Sequence, residues 1–308
     1  MVDVQGYRRL MGVIAPSTNT TVQPDMERMR PEGVTNHFSR IHVEDPVALS
    51  NEDFFAGTQA IADNVHAAVR SVMTCKPDYL VMGMSAITFY GGVEGGAKFK
   101  AEIEALAGVG ASTGSESVVA ALRAYGGVKT VSFVSPYFHA ANDQVRNYLE
   151  ESGFTVKRDH PIKCRCWTDI AKVTPAYLRD VIDNELDGDD VDAVLQVGTN
   201  LSMVGLAAEY ELRLGKPVIA INSATYWHAL RACGIEDRIT GLGRLLAEFL
   251  RGPSADAPPL PPTPGGSGGA RFQLRYCAGG RSMPATGSMA ISGSGSASAL
   301  RQSSGICS

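Results

Sequence analysis

Short apolar runs alternate along the chain with longer stretches whose apolar positions return every three or four residues. The runs predict strands at Leu10–Ala15, Asn36–Val43, Tyr79–Gly83, Thr130–Ser135, Thr155–Asp159, Ala193–Val197 and Val218–Ile221. The intervening periodic stretches predict helices at Asn51–Thr74, Ala97–Ala107, Ser115–Tyr125, Ala140–Ser152, Pro175–Asn184, Val204–Leu214, Ala224–Cys233 and Leu242–Leu250. Ser50 before Asn51-Glu52-Asp53, and Thr174 before Pro175, mark two helix starts, each placing a capping hydroxyl ahead of residues suited to a first turn. Strand and helix in alternation are the pattern of an α/β fold, a parallel sheet covered by helices on both faces.

The pattern also repeats. Met11–Pro16 and Val131–Pro136 are both apolar strands that end in a small residue and proline, and Asp78–Ser85 matches Asp192–Asn200 in kind. The offsets are about 115 to 120 residues, the size of one small doubly wound domain. The expected architecture is two similar doubly wound, Rossmann-like halves related by a pseudo-twofold, with a cleft between them. Residues 1–114 form the first half, closed by part of the C-terminal segment, and residues 115–251 the second. The last stretch, 252–308, is about half Gly, Pro and Ser, lacks a hydrophobic period and is expected to be a disordered tail. In parallel sheets ligands bind beyond the carboxyl ends of the strands. A pseudo-twofold would bring the loops Pro16–Thr20, Gly83–Thr88, Pro136–His139 and Gly198–Ser202 face to face. All four are rich in residues that offer hydroxyls and backbone N–H groups to an anion.

Composition narrows the function classes. At 308 residues, 44% hydrophobic and 19% charged, the chain can bury two modest cores. A formal net charge of -4, with Lys and Arg scattered singly, argues against a nucleic-acid partner. No apolar stretch is long enough for a membrane span, and the N-terminus lacks a signal-like apolar region, so a cytoplasmic protein is expected. Six cysteines are too sparse for a disulfide scaffold. Cys164-x-Cys166 has no third ligand nearby in sequence, so it is read as two unremarkable thiols and no metal site is expected. The run Gly91–Gly96 is not the dinucleotide fingerprint, so no cofactor is expected.

Three segments carry a family resemblance. Gly12–Thr20, reading GVIAPSTNT, resembles the first strand and loop of maleate cis-trans isomerases. Asp78–Gly92, DYLVMGMSAITFYGG, resembles a strand and loop of arylmalonate decarboxylases, and Lys216–Gly243 resembles the closing signature of that branch. The similarity runs from about residue 7 to 250 and points to the aspartate/glutamate racemase superfamily. In that superfamily a cysteine stands at the end of a central strand in each half. Racemases and maleate isomerases use both, and arylmalonate decarboxylases keep the second as proton donor. Here Gly83 and Gly198 fall on those positions, and glycine supplies neither proton nor nucleophile.

The resemblance further implies a binding set of Asn19, Gly83, Met84, Ser85, Tyr137, Gly198, Thr199 and Asn200, able to hold a carboxylate or the enediolate formed from it. A catalytic acid or base must then be sought elsewhere. Tyr137 is a phenolic candidate, His139 the first imidazole candidate in the same loop, and His228 the second. The expected function is a cofactor-independent isomerase or decarboxylase acting on a small mono- or dicarboxylic acid by oxyanion stabilisation. The alternative is a carboxylate-binding protein of the same fold without catalysis. A homo-oligomer is compatible with either.

Overall fold

The computed structural model describes residues 3–45 and 47–252. The expected disordered tail lies, apart from Gly252, outside the described residues. In chain order the elements are β1 (Arg9–Pro16), α1 (Val22–Met29), β2 (Val34–Ile41), α2 (Asn51–Val72), β3 (Tyr79–Met82), α3 (Ala86–Phe89), α4 (Gly92–Ala107), β4 (Ala111–Ser112) and α5 (Gly114–Tyr125). There follow β5 (Thr130–Ser135), α6 (His139–Glu151), β6 (Thr155–Pro161), α7 (Pro175–Val181), β7 (Ala193–Gln196), α8 (Val204–Leu214), β8 (Val218–Ala220), α9 (Ile221–Ala232) and α10 (Arg244–Glu248).

The strands form two four-stranded sheets, β2-β1-β3-β4 and β6-β5-β7-β8, parallel throughout. The two orders are the same order written twice. Within each sheet the connections leave the first strand in opposite directions, so β1/β3 and β5/β7 flank the points where a crevice opens. The inner strands β3, β5 and β7 bury nearly every residue, whereas the edge strands β2 and β6 keep partly exposed positions. That contrast is expected when helices cover both faces of a sheet. α5 follows β4 as α9 follows β8, and these two helices pack on each other; α9 also packs on α1, β3 and β4. A single apolar cluster runs through both sheets.

Local chemistry explains the helix that matters most for the site. α2 buries Phe54, Thr58, Ile61, Val65, Val69 and Val72 along one stripe. Ser50 caps it by accepting a hydrogen bond from the Asp53 N–H at 3.1 Å. Three elements absent from the sequence reading are β4, α1 and α3. β4 has two residues and α3 four, too few to show a period. α1 is polar and carries Pro24, and its first turn is organised from outside by Asn19. α9 starts at Ile221, not Ala224, because Ile221–Arg231 is buried on every side and has no amphipathic period to announce it. α4 starts at Gly92 rather than Ala97; a Cβ at Gly95 would lie 2.1 Å from the Tyr90 carbonyl oxygen, so the glycines there serve close packing.

Candidate active site

Four strand ends meet. Beyond β1, the Asn19 Oδ1 accepts from the N–H groups of Thr21 (3.0 Å) and Val22 (2.9 Å), which turns the chain into α1. Its Nδ2 donates across to the Thr199 hydroxyl at 3.2 Å. Beyond β3, Gly83-Met84-Ser85 leads into α3, and the Ser85 hydroxyl lies 2.7 Å from the Tyr137 hydroxyl, which stands beyond β5. Beyond β7, the Thr199 N–H donates to Ser85 Oγ (3.3 Å) and the Thr199 hydroxyl to the Gly83 carbonyl (3.1 Å). Asn200 accepts from the Thr20 N–H at 2.9 Å and donates to the Trp167 carbonyl at 3.0 Å and the Thr18 carbonyl at 3.5 Å. Asn222, at the start of α9, donates to the Thr199 carbonyl and to buried Asp25, both at 2.9 Å. Burial holds the Asp25 carboxyl above its ordinary pKa.

These loops enclose a cavity of about 490 Å³ of empty space, partly open to solvent. Asn19, Met84, Ser85, Tyr137, Gly198, Thr199 and Asn200 all line it. Its remaining walls are mostly apolar and include Ile61, Ile87, Trp167 and Ile170. No charged side chain and no cysteine line it among the described residues. Tyr137 is 2% exposed, and burial pushes its phenol well above the usual range, so it enters any reaction as a neutral O–H.

The donors are engaged unevenly. Both amide protons of Asn200 are engaged by protein carbonyls, as are the N–H and hydroxyl of Thr199 by Ser85 and Gly83. By contrast, the backbone N–H groups of Met84 and Ser85 find no acceptor among the described residues. Ser85 and Tyr137 share one proton between their oxygens, so whichever hydroxyl is not donating to the other is left with a proton for the cavity. The groups able to receive an anion therefore include Met84 N–H, Ser85 N–H and the Ser85/Tyr137 hydroxyl pair, with the second Nδ2 proton of Asn19; the N–H groups of Thr18, Gly198 and Asn200 and the Thr18 hydroxyl, in the same lining, likewise find no acceptor among the described residues.

Several expected placements need correction. Gly83 does not line the cavity; a Cβ there would meet Val22 Cγ1 at 2.7 Å and the Ile14 carbonyl at 3.1 Å, inside the core. Gly198 does line it, but its φ of +105° disfavours any side chain, and a Cβ would lie 2.3 Å from Pro136 Cδ. Cysteines at these two positions would therefore not simply face one another. His139 begins α6, is exposed and lies outside the lining, so the structure does not bring it to the cavity. His228 is buried in α9 against the Ser112 hydroxyl (2.7 Å), also away from the lining. Cys166 is disulfide-bonded, contrary to the reading of two unremarkable thiols; Cys164 is free, and burial raises its pKa to about 12. No group of three or more His, Cys, Asp or Glu among the described residues could hold a metal ion. No helix among them is long and apolar enough to cross a membrane.

The sequence reading missed Thr58 and Ile61 on α2, and Trp167 and Ile170 after β6. Trp167 and Ile170 sit in a connection without period, so nothing in the pattern pointed to them.

The profile of the arylmalonate decarboxylase family matches residues 11–246. The chain belongs to this family. It is 28% identical over 251 residues to a maleate isomerase of Pseudomonas putida, an alignment covering 79% of this chain and 98% of that protein. It is 29% identical over 175 residues to the arylmalonate decarboxylase of Bordetella bronchiseptica, covering 54% of this chain and 70% of the relative. Among solved structures, a Nocardia farcinica maleate cis-trans isomerase mutant with a covalently bound succinylcysteine intermediate shares the fold, with a TM-score of 0.69, 21% identity and coverage of 77% of this chain and 98% of that one. The relatives of this family member are thus enzymes of isomerase and carboxy-lyase type. The isomerase intermediate is carried on a cysteine, a residue absent from the lining of this chain's cavity among the described residues.

Proposed function

We propose that this family member is a cofactor-independent decarboxylase of small malonic acids that bear one apolar substituent. The observation that carries the reading is the cluster of open neutral donors, Met84 N–H, Ser85 N–H and the Ser85/Tyr137 hydroxyl pair, set against apolar walls. One carboxylate would rest on the donors, while the second, facing the apolar side, would lose solvation there and leave as carbon dioxide. The carbon–carbon bond breaks, and its electron pair passes into the retained carboxylate as an enediolate. The donors stabilise that charge as it grows, each worth about 3 kcal/mol. Tyr137 then gives its proton to the carbon and recovers one from solvent through Ser85. A buried phenol is a weak acid, yet far stronger than the carbon it protonates. Against maleate as the substrate, no cysteine among the described residues lines the cavity to add to its double bond.

Proton NMR in D2O with methylmalonate, phenylmalonate and maleate tests the reading. The substituted malonates are expected to give singly deuterated acids and maleate to persist. Tyr137→Phe is expected to lower kcat by about 100- to 10,000-fold, the range of general acid catalysis. Conversion of maleate to fumarate would refute the choice of reaction. Binding of the malonates without turnover would instead favour the carboxylate-binding alternative.

A further inference from the structure

Trp167 enters the polar network of the site through its backbone alone. Its carbonyl anchors Asn200, but its indole does something else. A second cleft, of about 560 Å³ including open solvent, lies between α2 and the segment that follows β2 and is lined by His42, Val43, Glu44, Gly57, Ala60 and Asn64, again with Trp167. Trp167 is the one residue common to the linings of this groove and of the cavity. The faces of α2 confirm which side is which. Gly57, Ala60 and Asn64, spaced as one helical stripe, face the groove, while Thr58 and Ile61 face the cavity.

The indole is held in this position from three directions. Its ring centroid lies 4.8 Å from that of Phe54. It lies so close to α2 that a Cβ at Gly57 would fall 2.7 Å from its Cζ2, so glycine is what lets the ring sit flush on the helix. Its segment is tied to the loop before α2, with the Thr168 N–H donating to Asp45 at 3.2 Å and the Ala48 N–H donating to the Arg165 carbonyl at 2.7 Å.

We propose that Trp167 is the specificity-determining wall of the cavity, closing it against the outer groove and limiting the acid to a short substituent. The inference rests on the substrate class proposed above. It adds that removing the indole joins the two spaces, so that a chain too long for the cavity can run past α2 toward His42, Glu44 and Asn64.

The test compares methylmalonate with hexylmalonate on wild type, Trp167→Ala and Trp167→Phe. The ratio of kcat/KM for the long acid to that for the short one is expected to rise at least about tenfold in the alanine variant, as a hydrophobic pocket discriminates size on that scale, and to be intermediate in the phenylalanine variant. The phenylalanine variant keeps an aromatic ring against Phe54 and preserves the comparison should the alanine variant fail to fold. Equal loss on both acids would overturn the wall. Should wild type turn over neither acid, the reaction proposed above fails by itself, and the same ratio is then read from Kd by calorimetry. There a tenfold shift supports the wall, an unchanged ratio overturns it, and no binding of either acid to any of the three proteins overturns both proposals.

Discussion

The ends of β3 and β7 occupy the same place in two copies of one topology, yet they use their side-chain donors in opposite ways. After β3, the Met84 and Ser85 N–H groups stay open and the Ser85 hydroxyl faces a neutral phenol. After β7, the side chains of Thr199 and Asn200 and the Thr199 N–H spend their protons on Ser85, Gly83, Trp167 and Thr18, while the Gly198 and Asn200 N–H groups find no acceptor among the described residues. The side chain of one loop is part of the binding surface, and the side chains of its counterpart are the brace that shapes it. Symmetry in the fold therefore says little about symmetry in the chemistry. Donor capacity, counted proton by proton, separates the two where residue type alone does not: Ser, Thr and Asn look equally fit to hold a carboxylate.

The largest effect that could break this comparison is on the β3 side. Ser85→Ala is expected to lower kcat for a substituted malonate by about 100- to 1,000-fold, the loss seen when one oxyanion donor is removed. A smaller and different effect is expected on the β7 side. Asn200→Ala removes the acceptor of Thr20 N–H and leaves two carbonyls short of a donor, which costs about 1–3 kcal/mol of stability, read as a lower urea midpoint. Turnover per folded molecule should stay nearly unchanged. If Asn200→Ala instead abolished turnover at full stability, the division into surface and brace would be wrong.

The sequence made the repeat legible because both halves bury strands whose apolar runs end in similar loops, Met11–Pro16 and Val131–Pro136. The two matching sheet orders follow from it. It also drew together Asn19, Met84, Ser85, Tyr137, Gly198, Thr199 and Asn200, which share one cavity lining. What it could not show was direction. Gly83 stands at the right strand end, but its missing side chain would point at Val22, a fact set by the backbone turn and not by residue identity. His139 was attractive for its closeness to Tyr137 in the chain, yet the helix that starts there turns it to solvent. Trp167 had no signal at all, because its place depends on Gly57 and Phe54, more than 100 residues away in sequence.

The two histidines offered as catalysts extend the contrast and give the smallest expected effect. His139 is exposed, whereas His228 is buried against Ser112, with Glu116 and Lys100 near enough to feel its charge. Burial pushes the His228 pKa below its ordinary value of 6.5, the Glu116 carboxylate opposing and the Lys100 ammonium assisting. The unfolded chain therefore binds a proton at this residue at a pH where the folded protein does not. Stability from this group is complete above the unfolded value of 6.5 and is lost as pH falls below it toward the lower folded value. The slope from one such group cannot exceed about 1.4 kcal/mol per pH unit. Urea unfolding at pH 7.5 and pH 5.5 should show a loss of stability in wild type that is smaller in His228→Gln, since glutamine can still reach Ser112 but does not titrate. A wild-type loss equal to that of His228→Gln would mean that the folded core takes up the His228 proton as readily as the unfolded chain, and that burial does not depress its pKa.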